Sequence, residues 1–217
     1  MVIPNSEGMK AKGVVIDLDG TLLLGNSFER YYFFLLRRAF QEGRLLCLLR
    51  LLALLLGRKL RFYSHSCFKQ RVLMQKGLDE QQLQIFVDTL VKEVNPEVLE
   101  LYKDYRSRDY YTCLATAAPL VYARIIGDKF GFDAVCATAS VNGNYADGSW
   151  VENIRENKLA YVDSFLARKG VSIDVVITDH HDDLPLIKRA KESSIMVAPS
   201  AETIRFLVQH EVPYNII

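Results

Sequence analysis

Cysteine pairs, zinc-ligand clusters and low-complexity segments are all missing from this 217-residue sequence. Its four cysteines form no CxxC pair and have no histidine at metal-ligand spacing, which argues against a structural zinc site. Cys113 and Cys136 fall in apolar runs that predict strands, so we expect reduced core thiols in a cytoplasmic protein. Half of the residues are hydrophobic, so the chain can form one domain plus an inserted subdomain.

Hydrophobic runs long enough to cross a membrane are absent as well. The polar start, Met1 to Lys10, lacks the apolar region of a signal peptide. The run from Leu45 to Leu56 is nearly all leucine, with Arg50 as its only charge. As a helix it would extend about 18 Å, against about 30 Å of bilayer hydrocarbon. This run therefore predicts a buried helix or a helix that lies on a surface.

The chain has little net charge, but its positive and negative residues are unevenly distributed along the sequence. The formal net charge is +1, whereas the stretch from Arg37 to Arg71 contains nine Arg or Lys and a single acid, Glu42. This basic segment therefore carries +8, and the rest of the chain carries −7. Such asymmetry indicates an anionic partner for one part of the protein.

The first third of the chain predicts one strand followed by helices. The apolar run from residue 13 to 17 is typical of a buried strand. From residue 28 to about 108 the pattern is helical, with breaks expected at Gly43, Gly57 and Gly77. Two helix starts are predicted by a capping box at Asp79 and Gln82 and by the pair Asn95-Pro96.

Strands and helices alternate through the rest of the chain, which predicts an α/β fold with a parallel sheet wrapped by helices. The long helical stretch is then an insertion that forms a cap over the carboxyl edge of the sheet. We expect a core of residues 1–24 and 92–217 and a helical cap of residues 25–91. The predicted strands are 110–115, 134–139, 174–178, 194–197 and 214–217. The predicted helices are 119–130, 153–169, 183–191 and one from Ser200, and a hairpin is predicted at 141–151, turning at 142–143 or 147–148.

Functional side chains follow three of the predicted strands. Ligands of open α/β sheets gather at the carboxyl ends of the strands, so we expect these side chains to meet. Several carboxylates at one edge would repel each other unless a cation neutralised them, and oxygen ligands favour Mg²⁺. The groups concerned are Asp17 with Asp19, Thr116, and Asp179 with Asp183.

The segment Asp17-Leu-Asp-Gly-Thr carries the most specific pattern. Asp17 could attack phosphorus, and Asp19 could protonate the leaving alkoxide and then activate water. Gly20 lets the backbone approach a ligand closely. The alternative is a strand followed by an Asp-Gly turn without a catalytic role.

Weaker signals come from residues further along the chain. Thr116 and Ala117 would offer a hydroxyl and free amides at a helix N-terminus, which favours phosphate, although Thr116 could be an ordinary N-cap. Lys158 could neutralise phosphoryl oxygens or be a solvated helix residue. His180 and His181 are expected to line a loop rather than bind Zn²⁺, with substrate contact as the alternative.

Taken in order, these residues resemble the haloacid dehalogenase superfamily, in particular its phosphoserine-phosphatase-like branch, subfamily IB, which has a helical cap. The similarity covers residues 13–24 and 110–217. It implies a Rossmann-like parallel-sheet core and Mg²⁺-dependent hydrolysis of a phosphate monoester through an aspartyl-phosphate intermediate. The matching motifs are Asp17-Leu-Asp-Gly-Thr21, Thr116, Lys158, and Asp179 with Asp183.

The resemblance also implies roles for the acidic residues. Asp17 would be the nucleophile and a Mg²⁺ ligand. Asp19 would be the general acid and base, and would bind the metal through its carbonyl. Asp179 would ligate Mg²⁺ directly, whereas Asp183 would support the metal site without direct contact.

The same resemblance implies a phosphate site and a limit on the substrate. Thr116, the Ala117 amide and Gly20 would hold the phosphoryl group, and Lys158 would bridge it to Asp17. Thr-Ala-Ala at residues 116–118 replaces the usual Ser-Gly-Gly of phosphoserine phosphatases. Further departures are Arg155 in place of Gly, His180 in place of Ser or Gly, and Asp182 in place of Asn. The expected substrate is therefore a small phosphorylated molecule other than phosphoserine.

Two questions stay open at the level of sequence. The leucines of the cap are expected to pack between helices while the arginines face solvent. The alternative is an amphipathic surface that meets an anionic membrane and admits a lipid-like phosphate ester, and no nucleic-acid partner is expected. A phospho-receiver domain or an inactive binding module is the alternative to an enzyme, although the Asp-x-Asp spacing and the long insertion argue against a receiver.

Overall fold

A seven-stranded sheet forms the centre of the computed structural model, which describes residues 11–75, 78–140 and 150–217. The strands are β1 (Ala11–Ile16), β2 (Tyr111–Pro119), β3 (Ala134–Ser140), β4 (Trp150–Val151), β5 (Val171–Thr178), β6 (Ser193–Met196) and β7 (Asn215–Ile216). Their order is β4-β3-β2-β1-β5-β6-β7, and every pair is parallel except β3 with β4. The predicted α/β fold with a parallel sheet is confirmed.

Nine α-helices accompany the sheet within the described residues. They are α1 (Ser27–Gln41), α2 (Leu45–Lys59), α3 (His65–Leu73), α4 (Glu80–Leu90), α5 (Pro96–Ser107), α6 (Leu120–Phe130), α7 (Arg155–Arg168), α8 (Leu184–Ile187) and α9 (Ala201–Gln209). The first five lie between β1 and β2 in the chain, and the others alternate with strands. None of the described helices has the length and apolar character that crossing a membrane requires.

Local capping signals place two of these helices where the sequence predicts them. Asp79 and Gln82 form a reciprocal capping box at the start of α4, with the Gln82 amide 2.8 Å from Asp79 Oδ1. Asn95 accepts a hydrogen bond from the Glu97 amide, and Pro96 occupies the first turn of α5. Both predictions are confirmed, because these contacts depend only on residues close in sequence.

The glycine predictions have three different outcomes. Gly43 separates α1 from α2 with a φ of +65°, as expected of a helix-terminating glycine. Gly57 does not end a helix, because it is buried within α2, and a Cβ there would lie 2.4 Å from the Tyr63 ring. Close packing, rather than helix termination, therefore requires a glycine at position 57. Gly77 lies outside the described residues, as does the segment from Met1 to Lys10.

Two further predictions need correction or completion. The helix expected over residues 183–191 is limited to α8 after a 3₁₀ turn, because the amides of Lys191 and Glu192 turn back to bond to β5 carbonyls. The hairpin expected over 141–151 has its outer pairs in place, with Ala139 opposite Val151 and Ser140 opposite Trp150. Its predicted turns lie outside the described residues.

Hydrophobic side chains cover both faces of the sheet. Along β1, Val14 and Ile16 belong to one buried cluster and Val15 to the other, as the two-residue period of a strand requires. Cys113 and Cys136 are free and buried in the second cluster, with their sulfurs 3.9 Å apart, so the predicted core thiols are confirmed as such.

The inserted helices share the first cluster with the core. The rings of Tyr31 in α1, Phe86 in α4 and Tyr122 in α6 lie within 5.5 Å of one another, centroid to centroid. These contacts join the insertion to a helix that packs on the sheet. The division of the chain at residues 25–91 stays a prediction.

Candidate active site

Two neighbouring parallel strands end in aspartates at the same edge of the sheet. Asp17 follows β1, and its amide donates to the Ile177 carbonyl of β5 at 2.9 Å. Asp179 directly follows β5, and Thr116 lies within β2 on the other side of β1. Parallel pairing on both sides of β1 therefore brings these side chains to the carboxyl edge of the sheet.

Lys158 joins two of the acidic residues. It lies in the first turn of α7 and is only 4% exposed. Its Nζ donates to Asp17 Oδ1 at 2.8 Å and to Asp183 Oδ2 at 2.7 Å. Asp183 Oδ2 also accepts a 2.7 Å hydrogen bond from the Thr178 hydroxyl. A buried ammonium group paired in this way is held firmly, because either carboxylate would be costly to bury alone.

The negative charge at this edge exceeds what Lys158 neutralises. Burial raises the pKa of Asp17 to about 7; Lys158 opposes this rise, while the carboxylates of Asp183 and Asp179 add to it. Burial alone would lower the pKa of Lys158, but the two carboxylates beside it outweigh burial and raise that pKa. An additional cation at the site would stabilise the ionised carboxylates.

Asp19 is anchored by the start of α1. Its two carboxylate oxygens accept from the Ser27 amide at 2.8 Å and from the Ser27 hydroxyl at 3.0 Å. The same hydroxyl lies 3.1 Å from the Tyr122 hydroxyl. Burial raises the pKa of Asp19 even though the hydrogen bonds from Ser27 oppose the rise. Sequence reasoning missed Ser27, because nothing local distinguishes it from an ordinary first residue of a helix.

Gly20 makes room for Asp179. Its φ of +76° is a conformation that favours glycine, and a Cβ on it would lie 2.3 Å from Asp179 Oδ2. Asp179 Oδ1 also accepts a 3.2 Å hydrogen bond from the Thr21 hydroxyl. Gly20 therefore contacts a carboxylate of the site rather than lining the open cavity.

Thr116 does not lie at a helix N-terminus, so that part of the prediction is wrong. It belongs to β2, and α6 begins four residues later at Leu120 with Pro119 as its N-cap residue. The Thr116 hydroxyl accepts from the Ala118 amide at 3.0 Å, which fixes the backbone between the strand and the helix. The strand continues further than expected because Pro119 still pairs with Thr138 of β3.

Asn153 supports this backbone, although it is not among the site residues predicted from the sequence. It is 3% exposed, and its Nδ2 donates to the carbonyls of Thr116 at 3.0 Å and Cys136 at 2.9 Å. Its Oδ1 is buried without a hydrogen-bond partner among the described residues. The sequence placed Asn153 at the start of a helix, whereas α7 begins two residues later.

We expect Asn153→Ala to lower the free energy of unfolding by about 1–3 kcal/mol, because two carbonyls would each lose a buried side-chain donor. Urea denaturation followed by circular dichroism measures this change. Asn157→Ala is the matched control, since Asn157 is exposed and makes one 3.3 Å hydrogen bond. Equal stability of the two variants would contradict the supporting role of Asn153.

Lys69 brings α3 to the edge of the site. It is 4% exposed, forms an ion pair with Glu152 and donates to the Ala117 carbonyl at 3.2 Å. Its ammonium group also lies 5.5 Å from the centre of the Phe28 ring. The sequence counted Lys69 only as one charge of the basic segment, because its partners are distant in sequence.

These side chains surround a cavity of about 220 Å³. Every predicted site residue lines it except Gly20, and Asn153, Ile154, His180 and Asp182 complete the lining. Sequence reasoning therefore identified most of the residues that line the cavity but missed Asn153.

The histidine pair lies at the rim of this cavity. The rings of His180 and His181 stack 4.1 Å apart, and His180 Nδ1 accepts from the Asp182 amide at 3.1 Å. Asp182 also pairs with Arg155 at 2.8 Å, and Arg155 has a φ of +50° that would suit glycine. Although one atom from each of His180, His181 and Asp182 falls within 4.8 Å of the others, His180 Nδ1 is already occupied. These contacts favour a loop-lining role for the pair.

The acidic residues fit a hydrated divalent cation. Asp17 Oδ2 and Asp183 Oδ1 accept no hydrogen bond from the described residues, whereas both carboxylate oxygens of Asp19 are occupied by Ser27. Among the described residues, no three aspartates bring one oxygen each within 4.8 Å of one another. Mg²⁺ suits such a site, because it retains waters and often takes only one or two carboxylates. Asp17, Asp179 and Asp183 each have a carboxylate oxygen that could hold it, directly or through one of its waters.

The fold and the site define an α/β protein with an acidic active-site cavity at the carboxyl edge of a parallel sheet. The family model for haloacid dehalogenase-like hydrolases matches residues 14–188, and the chain belongs to this family. This match confirms the resemblance found in the sequence motifs. No curated protein matches the sequence.

Several solved structures share the fold at low sequence identity. A protein of unknown function from Bordetella pertussis Tohama I is 19% identical, with 96% of this chain and 98% of that chain covered and a TM-score of 0.77. A phosphoserine phosphohydrolase-like protein from Francisella tularensis is 15% identical, with coverages of 95% and 94% and a TM-score of 0.57. A phosphoserine phosphatase described as a phospho-aspartyl intermediate analogue is 16% identical, with coverages of 95% and 92% and a TM-score of 0.56.

Proposed function

We propose that this hydrolase is a Mg²⁺-dependent phosphatase that hydrolyses a phosphate monoester through an aspartyl phosphate on Asp17. The observation that carries the proposal is the 2.8 Å contact between Asp17 and Lys158 inside a cavity that Thr116 and Ala117 also line. A nucleophile, a cation and a candidate phosphate-binding backbone thus share one small space.

In the first step, a carboxylate oxygen of Asp17 attacks phosphorus, and the bond from phosphorus to the alkoxide oxygen breaks. Asp19 gives its proton to that leaving oxygen. Burial favours the protonated form of Asp19 needed for this transfer, and Ser27 holds its carboxyl group in place. A bound Mg²⁺ would supply the positive charge that lets a carboxylate approach an anionic phosphoryl group.

In the second step, water attacks the phosphorus of the aspartyl phosphate. Asp19, now ionised, takes the proton from this water, and the phosphorus–oxygen bond to Asp17 breaks. Inorganic phosphate leaves, and both aspartates return to their starting states. The solved phosphoserine phosphatase described as a phospho-aspartyl intermediate analogue shares this fold, which supports the proposal by analogy.

Lys158 and the β2 backbone are proposed to stabilise the transferring phosphoryl group. Lys158 is buried and held by two carboxylates, so its charge needs little reorganisation during the reaction. The backbone at Thr116 and Ala117 is supported by Asn153, Thr138 and Lys69. Such fixed groups favour the transition state because they are in place before charge develops.

The substrate is proposed to be a small or lipid-like phosphate ester. The cavity of about 220 Å³ is smaller than the roughly 300–1,000 Å³ of most ligand sites. It suits the phosphoryl group, and the rest of the ester would extend beyond it. Thr-Ala-Ala at residues 116–118 differs from the Ser-Gly-Gly that the family resemblance associates with phosphoserine phosphatases.

Residues 25–91 are proposed to act as a cap that selects the substrate and limits water. Two contacts support this role: Ser27 of α1 holds Asp19, and Lys69 of α3 reaches the Ala117 carbonyl. A movement of these helices would therefore change the surroundings of both the general acid and the phosphate site.

A phosphate-release screen over sugar, amino-acid, nucleotide and lipid phosphates, with Mg²⁺ or with EDTA, tests the proposal. We expect release from at least one class with Mg²⁺ and at least about 100-fold slower release with EDTA, because the metal supplies several kcal/mol of charge stabilisation.

Restoring Mg²⁺ to the EDTA-treated protein is the control and should recover the rate. Phosphate release at the same rate with EDTA as with Mg²⁺ would contradict the metal-dependent mechanism. A protein that becomes phosphorylated but never releases phosphate would favour a receiver, and one that reacts with no ester would favour a binding module.

A further inference from the structure

One side of α2 presents leucine to solvent. Five leucines on it, and Leu60 directly after its end, are between 45% and 73% exposed. At 100° per residue they occupy one half of the helix, together with Ala53. We call this surface the leucine face; it comprises Leu45, Leu46, Leu49, Leu52, Ala53, Leu56 and Leu60.

The opposite side of α2 is also rich in leucine and already has its packing partners. Leu51 is fully buried, and Leu48, Leu54 and Leu55 pack against the same cluster. The expectation that the leucines of this region pack between helices is therefore wrong for the leucine face. Folding of the described chain does not account for these exposed side chains, and a contiguous exposed apolar surface marks an interaction site.

Basic side chains border the leucine face, and no acidic partner for them lies among the described residues. Arg50 and Lys59 lie at its two margins by helical position, and Arg61 follows the end of α2. Within the described ranges, none of these three forms an ion pair. Glu42, the single acid of the basic segment, is already shared by Arg38 and Arg44. The surface is thus apolar at its centre and positive around it.

We propose that the leucine face binds an anionic lipid surface. The leucines would enter the boundary between headgroups and acyl chains, and the basic residues would meet lipid phosphates. With 15 residues, α2 would lie in the plane of the interface rather than cross it. A second copy of the chain is a poorer partner, because twofold pairing would place the same unneutralised basic residues against themselves.

The position of α2 connects this surface to the active-site cavity. α2 packs on α3, which carries Lys69, and Lys69 contacts the Ala117 carbonyl at the cavity wall. The helix α3 therefore lies between the leucine face and the active-site cavity. The inference does not depend on the proposed phosphatase activity, since it rests only on exposure and charge.

Flotation with vesicles tests the inference on the full chain. We expect binding to vesicles with 30% phosphatidylglycerol in phosphatidylcholine and none to pure phosphatidylcholine. Leu49→Ser, Leu52→Ser and Leu56→Ser together should weaken the partition coefficient at least about 10-fold, because burial of the leucines drives insertion. Changing Arg50, Lys59 and Arg61 to Ser should weaken it at least about 100-fold.

Matched variants elsewhere on the surface serve as controls. Ile85→Ser, Val208→Ser and Ile216→Ser remove side chains of similar exposure, between 47% and 62%. The charge control changes Arg124, Lys169 and Lys188 to Ser, all three of them exposed. Both controls should bind vesicles like the unmodified protein, and circular dichroism establishes that each variant is folded.

Four results would overturn the inference. The first is no binding of the unmodified protein to anionic vesicles, and the second is an equal loss in the control variants. The third is unchanged binding of the leucine variant, which would show charge attraction without insertion. The fourth is a dimer in sedimentation that the leucine variant dissociates without any vesicle binding, which would make the leucine face an interface between copies.

Discussion

Asp17→Asn is expected to reduce phosphate release at least about 1,000-fold, because an amide cannot take the place of the attacking carboxylate. Asp17 contacts Lys158 at 2.8 Å and lines the same cavity as Asp19 and Thr116. The exchange preserves the shape of the side chain and removes only its nucleophilic oxygen. Release is measured on the best ester of the substrate screen, with Mg²⁺ present.

The same variant is expected to remain folded. Burial raises the pKa of Asp17 to about 7, above its value in an unfolded chain. The stability contributed by this group is therefore complete below the unfolded pKa and decreases as the pH rises through the folded one. A neutral amide avoids that loss, so the thermal midpoint at neutral pH should not fall by more than a few degrees.

Asp182→Asn is the matched control, because Asp182 lines the cavity but pairs with the exposed Arg155. We expect it to change the rate less than about 10-fold, as a rim charge acts through solvent. Normal turnover by Asp17→Asn would refute the aspartyl-phosphate mechanism. A similar loss in both variants would show that the assay reports general damage to the cavity.

Lys158→Met is expected to cost both stability and activity. The variant leaves Asp17 and Asp183 buried without their shared cation, and removing one partner of a buried pair typically costs about 3–5 kcal/mol. Loss of a fixed positive charge at the phosphoryl group should also lower kcat at least about 100-fold. Denaturant unfolding and steady-state kinetics measure the two effects separately.

The stability loss in Lys158→Met should depend on pH. With the ammonium group removed, burial and the nearby carboxylates hold the pKa of Asp17 above its unfolded value without opposition from Lys158. The stability that Asp17 contributes is then present at low pH and decreases as the pH rises, so the loss of stability should be smaller at pH 5 than at pH 8. Lys188→Met, at an exposed position, is the control. An unchanged stability at both pH values would contradict the charge pairing.

Two helices of the insertion contact the site, one at the Asp19 side chain and the other at the Ala117 backbone. Ser27 binds both oxygens of Asp19 through an amide and a hydroxyl, so α1 positions the proposed general acid directly. Lys69 acts on the other side, through Glu152 and the Ala117 carbonyl. A displacement of α3 would therefore disturb the backbone at Ala117, whereas a displacement of α1 would disturb Asp19.

Local pattern was sufficient for much of the fold. The alternation of strands and helices, the capping box at Asp79 and the start of α5 at Asn95 all follow from residues close together in the chain. The motif at Asp17 to Thr21 and the acids after β5 were recognisable because carboxylates at strand ends have few structural uses. The ordered motifs of the sequence were therefore sufficient to show the resemblance to this family.

Long-range packing decided the rest. Asn153 and Lys69 have ordinary local surroundings, and only their distant partners give them a place at the site. Gly57 became a packing glycine because Tyr63 folds back onto it. The leucine face is the clearest case: the sequence favoured packing of these leucines between helices and left an exposed amphipathic surface as the alternative. Which side of α2 meets the core depends on neighbours far along the chain, and contacts between residues distant in sequence decide it.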